Sequence, residues 1–123
     1  MNFIKPIRLI FNNLSDSKTA LFNSEGNVVI KSIRCCNKTN RNIRVSLEVI
    51  ALLEDPIQEG FMQQNVLILP NQATDLLSTI YGNSSEVVEH RMLDGDSLIC
   101  YSDSYDNNFS CIITGYEEVE RVS

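Results

Sequence analysis

From Arg41 to Leu53 the chain switches between apolar and polar side chains almost residue by residue. Ile43, Val45, Leu47, Val49 and Ala51 fall on one face, and Asn42, Arg44, Ser46 and Glu48 on the other. A helix would scatter these residues around its circumference, whereas a period of two is the mark of a half-buried antiparallel strand. Ile50 and Leu52 interrupt the polar face late, where the strand is expected to enter a contact.

The rest of the chain repeats a short apolar run followed by a polar turn, the spacing of a sandwich or barrel. Phe3 to Phe11 is a first run, with Pro6 marking an edge position. Residues 1–17 are expected to serve as an N-terminal arm or edge strand. Lys18 to Phe22 and Val28 to Cys36 follow, separated by the turn Asn23-Ser24-Glu25-Gly26-Asn27, and Asn37-Lys38-Thr39-Asn40 leads into the alternating strand. Glu54-Asp55-Pro56 ends that strand, and the stretch to Gly60 reads as a loop. Phe61 to Leu69 is a strand stopped by Pro70-Asn71. Ala73 to Tyr81 fits a strand or one short helix, and Gly82-Asn83-Ser84-Ser85 is a turn. Glu86 to Met92 is a short strand before the tight turn Leu93-Asp94-Gly95-Asp96. Ser97 to Tyr101 and Phe109 to Tyr116 are the last two strands, joined by the polar loop Ser102 to Asn108. No linker, repeat or low-complexity block divides residues 1–123, so a single domain is expected. Its core is expected from Ile43, Val45, Leu47 and Val49 with the inward residues of the last two strands.

With 43% hydrophobic and 21% charged residues the chain is globular rather than disordered. A net charge of -6 repels phosphate backbones and anionic lipid, which disfavours nucleic acid and membrane partners. No apolar run approaches the roughly 20 residues of a membrane span. Charge and Pro6 break the N-terminus before a signal-peptide core can form, which gives the expectation of a protein made in a cytoplasm.

No residue pattern announces catalysis. His90 is the lone histidine, too few for a cupin metal set, and no Ser or Cys stands with it in a readable triad. Phosphate-binding and nucleophile-elbow glycine motifs are absent. The four cysteines Cys35, Cys36, Cys100 and Cys111 include no C-x-x-C pair. Vicinal Cys35 and Cys36 point to opposite faces of a strand, so they read as reduced apolar filler rather than zinc ligands. Asp94, Asp96, Asp103 and Asp106 lie in two loops expected to be neighbours, but without EF-hand spacing. Neither metal nor cofactor is expected, and the protein is expected not to be an enzyme.

Two strands are apolar on both faces: Leu98, Cys100, Cys111 and Ile113 on one set, Ile99, Tyr101, Ile112 and Tyr116 on the other. A lone sandwich exposes one face of each strand, so these residues read either as scattered surface apolar groups or as a face covered by a loop or another subunit, a symmetry mate being the commonest cover. On the latter reading Phe3, Ile7, Ile99, Tyr101, Ile112 and Tyr116 are the expected interface residues of a homo-oligomer.

Two stretches carry a family resemblance. One is the hairpin Ser24-Glu25-Gly26-Asn27-Val28-Val29-Ile30-Lys31-Ser32-Ile33-Arg34-Cys35-Cys36-Asn37. The other comprises Leu69-Pro70-Asn71-Gln72-Ala73-Thr74-Asp75-Leu76, then Met92-Leu93-Asp94-Gly95-Asp96-Ser97-Leu98, then Ile112-Ile113-Thr114-Gly115-Tyr116-Glu117-Glu118. Together they resemble small β-sandwich virion structural proteins of tailed bacteriophages, over roughly residues 18–119. The proline usual before the first turn is replaced by Asn23-Ser24-Glu25. The resemblance implies an all-β, antiparallel, jelly-roll-like sandwich working in the virion after synthesis in a bacterial host cytoplasm. It implies capsid decoration or cement, with a neck or tail adaptor as the alternative, and other virion proteins as partners. A carbohydrate-binding module for a cell surface is the alternative from another class.

Overall fold

The computed structural model describes residues 2–77, 89–103 and 108–120. Among them are nine strands: β1 (Asn2–Leu14), β2 (Thr19–Asn23), β3 (Asn27–Asn37), β4 (Ile43–Ala51), β5 (Gln58–Ile68), β6 (Ala73–Asp75), β7 (His90–Met92), β8 (Asp96–Ser102) and β9 (Phe109–Glu120). One sheet has the order β1-β9-β3-β6, with β7 also on β3. The other has the order β2-β8-β4-β5. All pairings are antiparallel.

The pairings are nested. β4 pairs β5, β3 pairs β6 and β7, β2 pairs β8, and β1 pairs β9. The chain is thus one long double ribbon folded back on itself. Rolling it up brings β9 against β3 and β8 against β4. That is jelly-roll wiring, so the expected all-β sandwich is what the chain adopts.

Alternation puts the core where the two sheets face each other. Ile43, Val45 and Leu47 of β4 are fully buried, as are Leu98 and Cys100 of β8 and Phe109, Cys111 and Ile113 of β9. Val49 packs against this cluster half-buried. The polar face of β4 departs from expectation, because Ser46 and Glu48 are buried too. Bulges in the β4–β5 pairing bring the Asn65 N–H onto Ser46 Oγ at 3.0 Å. Tyr101 of the adjacent β8 and Lys18, just before β2, bond to Glu48.

The strand limits also shift. The alternating strand is paired only over Ile43–Ala51, because Asn37 holds the Arg41 carbonyl in the preceding turn at 2.7 Å. β5 begins at Gln58, so Gln58 to Gly60, read as loop, pair with Val49 to Ala51. Of the segment Ala73 to Tyr81, Ala73–Asp75 is strand, and Leu76 and Leu77 form a buried turn. The Asp75 carboxylate accepts from the N–H groups of Ile33 and Leu77, which turns the chain there. Residues 78–81, the turn Gly82 to Ser85 and residues 86–88 lie outside the described residues.

Each end of the roll is tied by hydrogen bonds between loops. At one end Asn37 is fully buried. Its amide donates to the carbonyls of Arg41 and Ile68, and its oxygen accepts from the Thr39 N–H and hydroxyl. At the other end the β2–β3 turn meets the β7–β8 turn. Ser24 N–H donates to the Asp96 carbonyl at 2.7 Å, Gly95 N–H to the Ser24 carbonyl at 2.9 Å, and Gly26 N–H to Asp94 Oδ1 at 2.7 Å. Gly26 and Gly95 have φ of 75° and 85°, the left-handed values that a side chain resists.

Candidate functional site

Where the roll places the expected interface residues decides whether they form one surface. Ile99 and Tyr101 are on the outer face of the β2-β8-β4-β5 sheet, opposite Glu48 and Ser46 on β4. Ile112 and Tyr116 are on the outer face of the other sheet. There Ile112 stands opposite Ile10 and Arg34, and Tyr116 opposite Pro6 and Val29. The two pairs therefore look out from opposite sides of the sandwich. Ile7 turns inward, half-buried against the core and opposite Gly115. Phe3 pairs with Val119 through the backbone, and its side chain lies outside the described ones. Alternation assigned each residue a face, but only the topology assigns it a sheet.

The outer face of β8 and β4 holds a connected polar group. The Glu48 carboxylate accepts from the Tyr101 hydroxyl at 2.7 Å and from Lys18 Nζ at 3.1 Å. Lys18 Nζ also sits 5.2 Å from the Tyr101 ring centre. The bond from Tyr101, aided by Lys18, holds the Glu48 carboxyl below the usual carboxylate range against the opposing effect of burial. The same bond holds the Tyr101 hydroxyl above its ordinary value, and the bond to Glu48 raises Lys18. Each group is thereby fixed in its resting protonation state at neutral pH. The carboxylate, the hydroxyl and the ammonium together offer a fixed set of acceptor, ring and donor on one face. Beside it, Lys18, Glu48, Glu59, Gly60 and Phe61 line a cavity of about 290 Å³.

A second cavity, about 320 Å³, lies round the β5 edge and is lined by Val49, Ala51, Gln58, Met62, His90 and Asp96 among others. His90 Nε2 is buried with no hydrogen-bond partner among the described residues. Burial lowers the imidazole below its ordinary 6.5, and the Asp96 carboxylate offsets this in part. The unfolded chain then binds the proton more readily than the folded one. Stability is full above about pH 6.5 and falls as pH drops through the unfolded value toward the folded one. Thermal melts between pH 7.5 and 5 should show a declining midpoint, and His90→Gln should flatten that decline. An unchanged slope in His90→Gln would remove His90 as its source.

The acids separate. Asp94 accepts from Gly26 N–H and Asp96 from Leu93 N–H, at the start of β8. Asp103 accepts from Arg44 N–H at 3.0 Å, past the far end of β8. Asp106 lies outside the described residues. Asp94 and Asp96 are thus held apart from Asp103, because a seven-residue strand of roughly 20 Å stands between them. Among the described residues no group of three or more His, Cys, Asp or Glu side chains is arranged to hold a metal ion. Nor is any helix among them long and apolar enough to cross a membrane.

Two features go beyond the sequence reading. One is an apolar end of the roll. Leu52, Leu53 and Ile57 of the β4–β5 connection and Leu93 of the β7–β8 turn are all exposed, Leu53 by 70% and Ile57 by 59%. Leu52 N–H donates to the Gly95 carbonyl, so the two loops sit side by side. Leu52 stands where the strand is expected to enter a contact, whereas Leu53 carries no such expectation and Ile57 and Leu93 read as loop and turn. The other is the meeting of Cys35, Cys100 and Cys111 in the core. No family model, no curated protein and no solved structure matches the chain.

Proposed function

We propose that this protein is a non-enzymatic virion subunit that acts through protein–protein contacts, as a capsid decoration or cement protein, with a neck or tail adaptor as the neighbouring role. The observation that carries the reading is the exposed apolar end formed by Leu52, Leu53, Ile57 and Leu93. Large aliphatic side chains grouped in water favour a protein surface that covers them. The jelly roll supports the reading as an analogy, because viral capsid domains use it; lectins and cupins share it too. The net charge of -6 favours protein partners over nucleic acid or anionic lipid. A homo-oligomer, or many copies on a shell, would multiply one weak contact into firm attachment.

The test pairs solution mass by light scattering with co-sedimentation on purified capsids and tails. The wild type should associate with itself or with particles. Leu53→Glu combined with Ile57→Glu should abolish association at an unchanged melting temperature, because both side chains are exposed. A strict monomer that ignores capsids and tails would overturn the reading. A second reading, binding of a cell-surface glycan, is favoured by the fixed Glu48 acceptor, the Tyr101 ring and the half-exposed Phe61 around one cavity. It predicts retention on a bacterial polysaccharide column that Glu48→Gln weakens.

A further inference from the structure

Three thiols converge in the interior. Cys35 on β3 and Cys111 on β9 are register partners, so their side chains leave the ladder on the same face. Both are fully buried. Cys100 comes from β8 in the opposite sheet and is equally buried, and the Cys35 thiol interacts with those of both Cys100 and Cys111. Cys35 is therefore the centre of a triad built from three strands and both sheets. Cys36 stands apart, half-buried on the other face of β3.

Antiparallel partners have Cα atoms about 4.5–5.5 Å apart, inside the roughly 4.4–6.8 Å that a disulfide spans. The Cys35–Cys111 pair thus meets the backbone requirement for a bond without moving a strand. Contact with Cys100, with burial adding to it, raises the Cys35 thiol well above the usual value. Contact with Cys35 and burial raise Cys111 likewise. Thiols held protonated and covered do not react while the core is closed, so oxidation waits on local opening that admits the oxidant.

We propose that Cys35, Cys100 and Cys111 form a redox site in which a small peroxide converts two core thiols into one disulfide, Cys35 to Cys111 first. The Cys35 sulfur takes one peroxide oxygen as a sulfenic acid and a first water leaves. The Cys111 sulfur then attacks the Cys35 sulfur; the S–O bond breaks, the S–S bond forms and a second water departs. The two sulfurs lose two electrons and the peroxide gains them. Cys100 can next attack the Cys35 sulfur and release the Cys111 thiol. That exchange moves the bond from within one sheet to between the two, where it staples the sandwich. The chain would fold reduced and lock later, on reaching oxidising surroundings. This inference does not rest on the virion reading.

The full chain, purified reduced, would be incubated with hydrogen peroxide and its remaining thiols alkylated. Intact mass, non-reducing peptide maps and thermal melts would follow. The expected result is loss of two hydrogens and a link from Cys35 to Cys111 or Cys100. The melting temperature should rise by about 10 °C and return on treatment with a phosphine. Cys36→Ala should behave as wild type, and Cys35→Ala should form no internal link. Should Cys35→Ala fail to fold, the wild-type map decides alone. Thiols that all stay free in the folded chain while the urea-unfolded chain oxidises would overturn the proposal. So would a link made through Cys36, or a linked form that melts no higher.

Discussion

Leu47→Asp should leave no folded protein at neutral pH. Leu47 is fully buried in the middle of β4, with Gln63 of β5 on one side and Cys100 of β8 on the other. The substitution removes a large aliphatic group, which alone costs about 2–5 kcal/mol. It also buries a carboxylate with no partner, at several kcal/mol more. A domain of this kind has only about 5–15 kcal/mol of stability in total. Leu47→Ala gives the graded version and should lower the urea midpoint while keeping a cooperative transition. Circular dichroism of both variants is the check. A soluble Leu47→Asp protein with a wild-type melt would show that β4 does not face the core.

Gly115→Ala should be nearly as damaging, although it adds a single methyl group. A Cβ at this position would sit 2.1 Å from the Val29 carbonyl oxygen and 3.1 Å from the Ile30 Cα. Both are backbone atoms of β3, next to the register shift between Ile30 and Ser32. No flexible side chain can swing aside, so the β3–β9 ladder has to open where it joins the halves of its sheet. A loss of about 3 kcal/mol or more is expected. Gly60→Ala is the control, because nothing lies within 4 Å of a Cβ there. Its urea midpoint should stay near wild type or rise slightly. Equal midpoints for the two variants would contradict the close approach of β3 and β9.

The contrast between these sites measures what was legible in the sequence. The inward face of β4 could be read from alternation, since the side-chain period of a strand is two wherever one face is buried. The burial of Ser46 and Glu48 could not, because it depends on bulges in β5 and on Tyr101 and Lys18 arriving from distant parts of the chain. Gly115 announced nothing, since its role comes from an irregularity in a strand some 80 positions earlier in the chain. The expected interface residues show the same limit. Ile99 and Ile112 do point away from the core, but from opposite sheets, and no local pattern carries sheet membership. The cysteine triad is the extreme case. Cys35 and Cys36 are adjacent in sequence, whereas the partners of Cys35 are set by the register of β3 with β9 and by sheet-to-sheet packing.

The nested pairing also has a consequence for the order of events in time. Only β4 and β5 can meet by closing a short loop, residues 52–57. Each outer pair spans everything inside it, so formed alone it would carry the entropy of a very long loop. Once an inner pair exists, the next pair closes over a chain already shortened and needs only a few more ordered residues. The ribbon should therefore zip outward from the β4–β5 hairpin, through β3 with β6 and β7, then β2 with β8, and finish with β1 on β9. Such a topology places the protein among slow folders, on the millisecond-to-second scale of sandwich domains. Until that last step, β9 offers open backbone along the edge that β1 will cover, and that interval is when a crowded cell has most opportunity to divert the chain into aggregates.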